Sequence, residues 1–258
     1  MSEWALVLGA SSGFGEAVSL ELARAGLNIA GVHLDRKQTL ANVERIVADI
    51  RKLGREALFF NVNAADSLKR KEVLDAFPKN PCSTVKILFH SLAFGTLKPY
   101  IADTPEEILT QPQMEMTVDV MAHSLVYWVQ ELVARKLMVR GGRIFAMTSS
   151  GGQRVWKTYG AVSAAKAALE SHVRQLALEL AHFGITANCI RAGVTDTPAL
   201  RKIPGHEQMI DIAKQRNPSG RLTTPADVAA TVATLSRSET YWVTGNVIGV
   251  DGGEDIVG

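Results

Sequence analysis

Short apolar runs alternate with longer amphipathic segments along nearly all of the 258 residues, and few architectures accommodate that rhythm. The runs are WALVLG (4–9), NIAGVH (28–33), ALFFNV (57–62), VKILFH (85–90), GRIFAMTS (142–149), ITANCI (185–190) and NVIGV (246–250). Each has strand length and is nearly continuous in apolar character, as strands covered on both faces should be. Between them, residues 15–25, 39–53, 114–138, 163–181 and 225–235 repeat apolar side chains at three- and four-residue intervals, the period of a helix with one buried face. Such alternation implies right-handed crossovers. The predicted fold is therefore α/β, a single domain over residues 1–258 with a seven-stranded parallel sheet and helices on both faces.

Composition removes several function classes. The 28 basic and 26 acidic residues are dispersed, with no basic block to follow a nucleic-acid backbone. No run of about 20 apolar residues interrupts the chain, and no charged leader with a cleavage site precedes the first run, so a cytoplasmic protein is expected. Cys82 and Cys189 lack metal-ligand spacing, and Cys189 sits in an apolar run, which suits a buried thiol in a reducing compartment. The six histidines are scattered, so no metal is expected. Met114, Met116 and Met121 read as a buried or subunit-facing stripe.

In open parallel sheets ligands bind beyond the carboxyl ends of the strands. Directly after the first run comes GASSGFG: Gly9 turns the chain off the strand, Gly13 leaves room for a pyrophosphate, and Gly15 lets the next helix approach the sheet. Ser11, Ser12 and Phe14 fill the turn, and the free amides and positive end of the helix face the phosphates. This is a Rossmann-like dinucleotide site. A carboxylate ending the second strand would bind a free ribose 2'-hydroxyl, whereas Arg or Lys accepts a 2'-phosphate. The acid position falls on His33, followed by Leu34, Asp35, Arg36 and Lys37. Arg36 and Lys37 point to NADPH, and Asp35 keeps NADH open.

The fifth run ends on Ser149, and beyond it stand Tyr159 and, seven positions on, Lys166. Seven residues make about two helical turns, so the phenol and the amine can enter one pocket. A nearby ammonium would draw the phenol's pKa from about 10 toward neutrality, for acid–base work. Ser149 is suited to hydrogen bonding beside Tyr159.

The G-x-x-x-G-x-G turn, the Tyr/Lys pair and VDGG at 250–253 together resemble the short-chain dehydrogenase/reductase family over essentially the whole chain. Carbonyl-reducing members commonly place Lys four positions after Tyr, where this chain has Ser163. The seven-residue separation, HSLAFG at 90–95 and RAGVTDT at 191–197 are similar to the enoyl-acyl carrier protein reductases. Many of those carry a second tyrosine ten positions before the first, here Ser149, so the likeness is to their triclosan-tolerant, more dehydrogenase-like branch.

The resemblance implies NADPH-dependent reduction of the 2,3-double bond of enoyl thioesters carried on an acyl carrier protein. It places Asn61 and Val62 at the adenine, His90, Ser91, Leu92 and Ala93 beside the ribose, and Gly193, Val194, Thr195 and Thr197 in the cofactor site. Lys166 would hold the nicotinamide ribose. Phe94, Leu200 and Met209, with Ser149 and Tyr159, would meet substrate. A lid would span about 194–221, within the one long irregular connection expected, 191–221, which has helix-capable pieces around Leu200 and at 206–216, and Arg201, Lys202, Lys214 and Arg216 would face the acidic carrier. A homotetramer is implied. Carbonyl reduction, of a 3-oxoacyl thioester or a hydroxysteroid, stays open, as does a sensor that binds NADPH without turnover; the latter would have no need of Tyr159, Lys166 and Ser149 together.

Overall fold

The computed structural model describes residues 2–77 and 83–257, which leaves Cys82 outside the described residues. Seven strands, β1 (Ser2–Leu8), β2 (Asn28–His33), β3 (Ala57–Asn61), β4 (Ser83–His90), β5 (Arg143–Ser149), β6 (Thr186–Ala192) and β7 (Val247–Val250), build one sheet. Its order is β3-β2-β1-β4-β5-β6-β7 and every pairing is parallel. The order in which strands are added reverses between β1 and β4, leftward to β3 and then rightward to β7, and Leu8 pairs with Val32 on one side and His90 on the other. That switch point opens the crevice in which such sheets bind ligands.

The strands read as continuously apolar because alternate residues feed two cores. Leu6, Leu8 and Leu88 pack with Leu125, Trp128 and Leu169 on one face. Ala5, Val7, Ile29 and Phe89 pack with Val18, Leu22, Ile50 and Val232 on the other. Trp4, Trp128, Phe89 and Phe145 are fully buried, each contributing on the order of 3 kcal/mol.

Among the described residues eight α-helices connect the strands: α1 (Gly13–Arg24), α2 (Leu40–Lys52), α3 (Ser67–Asp75), α4 (Gln111–Val118), α5 (Ser124–Ala134), α6 (Gly160–Glu179), α7 (His206–Arg216) and α8 (Pro225–Leu235). Three features depart from the sequence reading. First, α3 has too few apolar residues in SLKRKEVLD to show a stripe; it starts because the Asp66 carboxylate accepts from the Leu68 and Lys69 amides. Second, the helix expected at 114–138 begins at Gln111, behind a Thr110/Gln113 capping box, and a π-type turn at Asp119–His123 separates α4 from α5. Third, among the described residues a further long irregular connection stands beside the one expected, which contains α7: residues 91–110, which include Pro99 and Pro105, contain only the single turn Pro105–Glu107. Among the described residues no helix is long and apolar enough to cross a membrane.

Candidate active site

The glycine turn is built to the spacing the sequence suggests. Gly9 has φ +89°, and a Cβ there would lie 2.5 Å from the Ser91 carbonyl oxygen. A Cβ on Gly15 would come within 1.9 Å of the Gly9 oxygen, so the helix start and the turn interlock only without side chains. The turn is pinned from outside by Asn42, whose side-chain amide donates to the Ser11 carbonyl at 2.8 Å and to Glu16 at 2.9 Å. The Gly13, Phe14 and Gly15 amides find no acceptor among the described residues, and Ser12 makes no capping bond. Unpaired donors at the positive end of a helix fit a dinucleotide's phosphates. A cleft of about 540 Å³ opens beside Ser12, Gly13 and Thr197 and continues between α1 and α8; Tyr159 and Lys166 lie outside its lining.

At the end of β2 the side chains are more committed than their sequence suggests. His33 is buried, and its Nδ1 lies 2.9 Å from the Asp35 carboxylate. Burial works to raise the Asp35 pKa, but Thr39, Ser11 and His33 together hold it below its ordinary value. Burial outweighs Asp35 at His33, whose own pKa falls. Asn61 spans the loop: its oxygen accepts from the Asp35 amide at 2.9 Å and its nitrogen donates to the Asp35 carbonyl at 3.0 Å. The Val62 amide donates to the His33 carbonyl at 2.8 Å. Arg36 and Lys37 are exposed.

The carboxyl end of β5 carries the candidate chemistry. Tyr159 occupies the residue before α6, and Lys166, two turns in, is buried with Nζ donating to the Met147 carbonyl at 2.7 Å. A Cβ on Gly151 would lie 2.5 Å from the Tyr159 ring and 3.2 Å from Ser149 Oγ, so glycine brings phenol and hydroxyl against one point. Ser149 Oγ is buried without a partner, a group left waiting for a ligand. One expectation is corrected here. The Tyr159 phenol is not drawn down by Lys166: burial pushes its pKa up, and the nearby Ser149 hydroxyl opposes this without completing a hydrogen bond of normal geometry. Lys166 itself falls to about 8, chiefly through burial.

Thr158, just before the phenol, has φ +67°, a conformation a β-branched side chain resists, and its Oγ1 is buried without a partner. Thr158→Gly should relieve this and raise the unfolding free energy by about 1 kcal/mol in urea titration. An unchanged midpoint would show that the conformation costs nothing.

His90 faces inward. It is fully buried, with Nε2 2.9 Å from Ser124 Oγ, so only its backbone is left to meet a cofactor in the crevice. Ser91, Leu92 and Ala93 continue the chain past it, and Phe94 is well exposed. Leu200 is buried, Met209 half-buried, and Arg201 donates through Nε and Nη2 to the two carboxylate oxygens of Asp196 at 2.8 and 2.9 Å. Thr195 and Thr197 are buried, and the Val194 amide after Gly193 donates to Glu254.

Several contacts were not legible in the sequence. Tyr100 packs where a Cβ on Gly160 would come 2.5 Å from its ring. Trp156 Nε1 donates to the Pro204 carbonyl at 3.2 Å, tying the loop before Tyr159 to residues 194–221. Asp255 bridges Arg154 and Arg191, both at 3.0 Å. The one available signal was the VDGG that positions this segment.

Fold and site together define an oxidoreductase that works with a nicotinamide dinucleotide. Residues 9–254 match the family model described as enoyl-(acyl carrier protein) reductase. The chain is 32% identical over 225 residues to an NADH-dependent enoyl-[acyl-carrier-protein] reductase from Bacillus cereus, covering 83% of this chain and 84% of the relative. It is 30% identical over 261 residues to an NADPH-dependent aldehyde reductase-like protein, chloroplastic, from Arabidopsis thaliana, covering 96% and 93%. The crystal structure of an NADH-dependent enoyl-[acyl-carrier-protein] reductase from Aquifex aeolicus superposes with a TM-score of 0.85 at 26% identity, covering 99% of this chain and 97% of that one. The chain belongs to the short-chain dehydrogenase/reductase family.

Proposed function

We propose that the protein is an NADPH-dependent enoyl-acyl carrier protein reductase. The observation that carries this reading is the two-turn separation of Tyr159 and Lys166 at the start of α6, with Ser149 beside the phenol. The amides opening α1 would hold the pyrophosphate, and Lys166 the nicotinamide ribose. Reduced nicotinamide, when bound, supplies a hydride, which C3 of the enoyl thioester accepts. Negative charge then develops on the thioester oxygen, where Tyr159 donates a hydrogen bond. Its raised pKa serves this role, since a buried phenol that stays protonated arrives as a donor. Lys166 adds positive charge near the enolate, and C2 takes up a proton. Phe94, Leu200 and Met209 would border the acyl chain under a lid at 194–221.

Ser149, standing where many enoyl reductases carry a second tyrosine, favours one other reading, carbonyl reduction. Loss of coenzyme absorbance with a crotonyl thioester, compared with a 3-oxoacyl thioester, separates the two. Faster turnover of the 3-oxoacyl substrate would overturn the enoyl assignment. Lys202 and Lys214, both exposed, are the candidates to meet an acidic carrier. Arg201 is held by Asp196 and Arg216 donates to the Val257 carbonyl.

For the coenzyme, exposed Arg36 and Lys37 support NADPH, while the Asp35 carboxylate is already engaged by His33. Replacing both basic residues with Ala should raise the KM for NADPH roughly ten- to a hundredfold, the scale of one lost charge-assisted contact. The KM for NADH should barely change; equal changes would remove the NADPH assignment.

A further inference from the structure

One buried acid beside the site has no part in the mechanism above. Glu170 lies one turn beyond Lys166 on α6, so both project from the same face, and their exposures are 8% and 6%. The Glu170 carboxylate accepts a 2.6 Å hydrogen bond from Thr148, the neighbour of Ser149. A Cβ on Gly152 would lie 3.5 Å from Lys166 Cβ and 3.6 Å from Glu170 Oε1, so residue 152 lies against both and, as glycine, puts no side chain there. A carboxylate removed from water is costly unless an opposite charge compensates it, and a neutral hydroxyl does so only in part.

Few groups face Lys166. From β5 comes the Met147 carbonyl. From β4 comes His90, which burial holds neutral, with a pKa lowered to about 3. From β6 comes the thiol of Cys189, pushed up to about 12 chiefly by burial, so it is protonated and carries no charge near neutrality. The π-type turn offers Asp119 and His123; His123 is bonded to His172 at 2.9 Å, and neither bears on Lys166. Arg174, another turn along α6, is exposed. From α4 comes Glu115, which is exposed, so among the described residues Glu170 is the buried anion left to act on the ammonium.

We propose that Glu170 is a positioning residue whose buried negative charge keeps Lys166 protonated, and so sets the alkaline limit for coenzyme binding and turnover. This rests on the role given to Lys166 above. Glu170→Gln keeps an acceptor for Thr148 and removes the charge. The alkaline limb of NADPH affinity, followed by coenzyme fluorescence, and that of kcat/KM should both move down by about one pH unit, the effect of losing one nearby opposite charge. Glu170→Asp should restore the limb. A structural role alone would lower the thermal midpoint and leave the limb in place, which would overturn the proposal. Glu170→Leu, which fills the space without charge, should shift the limb the same way and serves if Glu170→Gln does not fold. Lys166→Ala is the control: normal NADPH affinity there would overturn the reading of Lys166 itself, whereas weakened affinity with an unmoved limb in Glu170→Gln would overturn the role of Glu170 alone.

Discussion

Tyr159→Phe should bind NADPH as the parent protein does and lose roughly two to four orders of magnitude in turnover, the usual scale for a positioned acid or donor. The ring would still pack over Gly151, where the fit depends on carbon atoms, so the fold and coenzyme site should survive. What disappears is the hydroxyl that meets the developing oxyanion. Fluorescence titration with NADPH alongside single-turnover rates separates binding from chemistry. Near-normal turnover with the fold intact would show that another group stabilises the charge.

Acid should unfold the protein through His90. The ordinary histidine pKa of 6.5 applies in the unfolded chain, but burial, with the Lys166 charge nearby, lowers it to about 3 in the fold. Between these values the unfolded state holds a proton that the folded state does not, so stability falls as pH falls. The loss is about 1.4 kcal/mol per pH unit across that window, absent above pH 6.5 and complete below about pH 3. His33 and His172 are also lowered, chiefly by burial, and add in the same direction. His90→Asn should lower stability at neutral pH by about 1–2 kcal/mol, as expected for a lost buried hydrogen bond. It should also flatten the slope between pH 6.5 and 4 by close to one proton's worth. Chemical denaturation at a series of pH values measures both; a slope equal to the parent's would exonerate His90.

His90 also shows where sequence reading stops. The parallel sheet was legible because two covered faces demand near-continuous apolar runs, and the glycine turn because Gly9 and Gly15 each answer a steric demand that other residues cannot meet. The Tyr159 and Lys166 pairing was legible because helical geometry converts spacing into direction. The rest depends on contacts between distant residues. His90 turns inward because Ser124, 34 residues on, spends its hydroxyl hydrogen on the Val120 carbonyl and so accepts from the ring. The backbone at Asp35 is held by Asn61, 26 residues away, and Arg154 by Asp255, 101 residues away. No local pattern encodes such partners. The helix α3 was missed for a local reason, since its start rests on the single cap Asp66.

The π-type turn at Asp119–His123 has a consequence for anyone moving this segment to another scaffold. In an uninterrupted α-helix, residues seven apart lie almost on one line, about 20° off. Thr117 and Ser124 are seven apart, yet Thr117 accepts from the Thr96 amide at 3.0 Å, on the loop that carries Phe94, while Ser124 reaches His90 under Lys166. The extra residue in the turn acts as a gear between the two halves, letting each half address a different part of the crevice. Residues 111–134 therefore transplant as one piece. Deleting a single residue from the turn would rotate α5 by about 100° against α4 and exchange its inward face for another, with the sequence on both sides untouched.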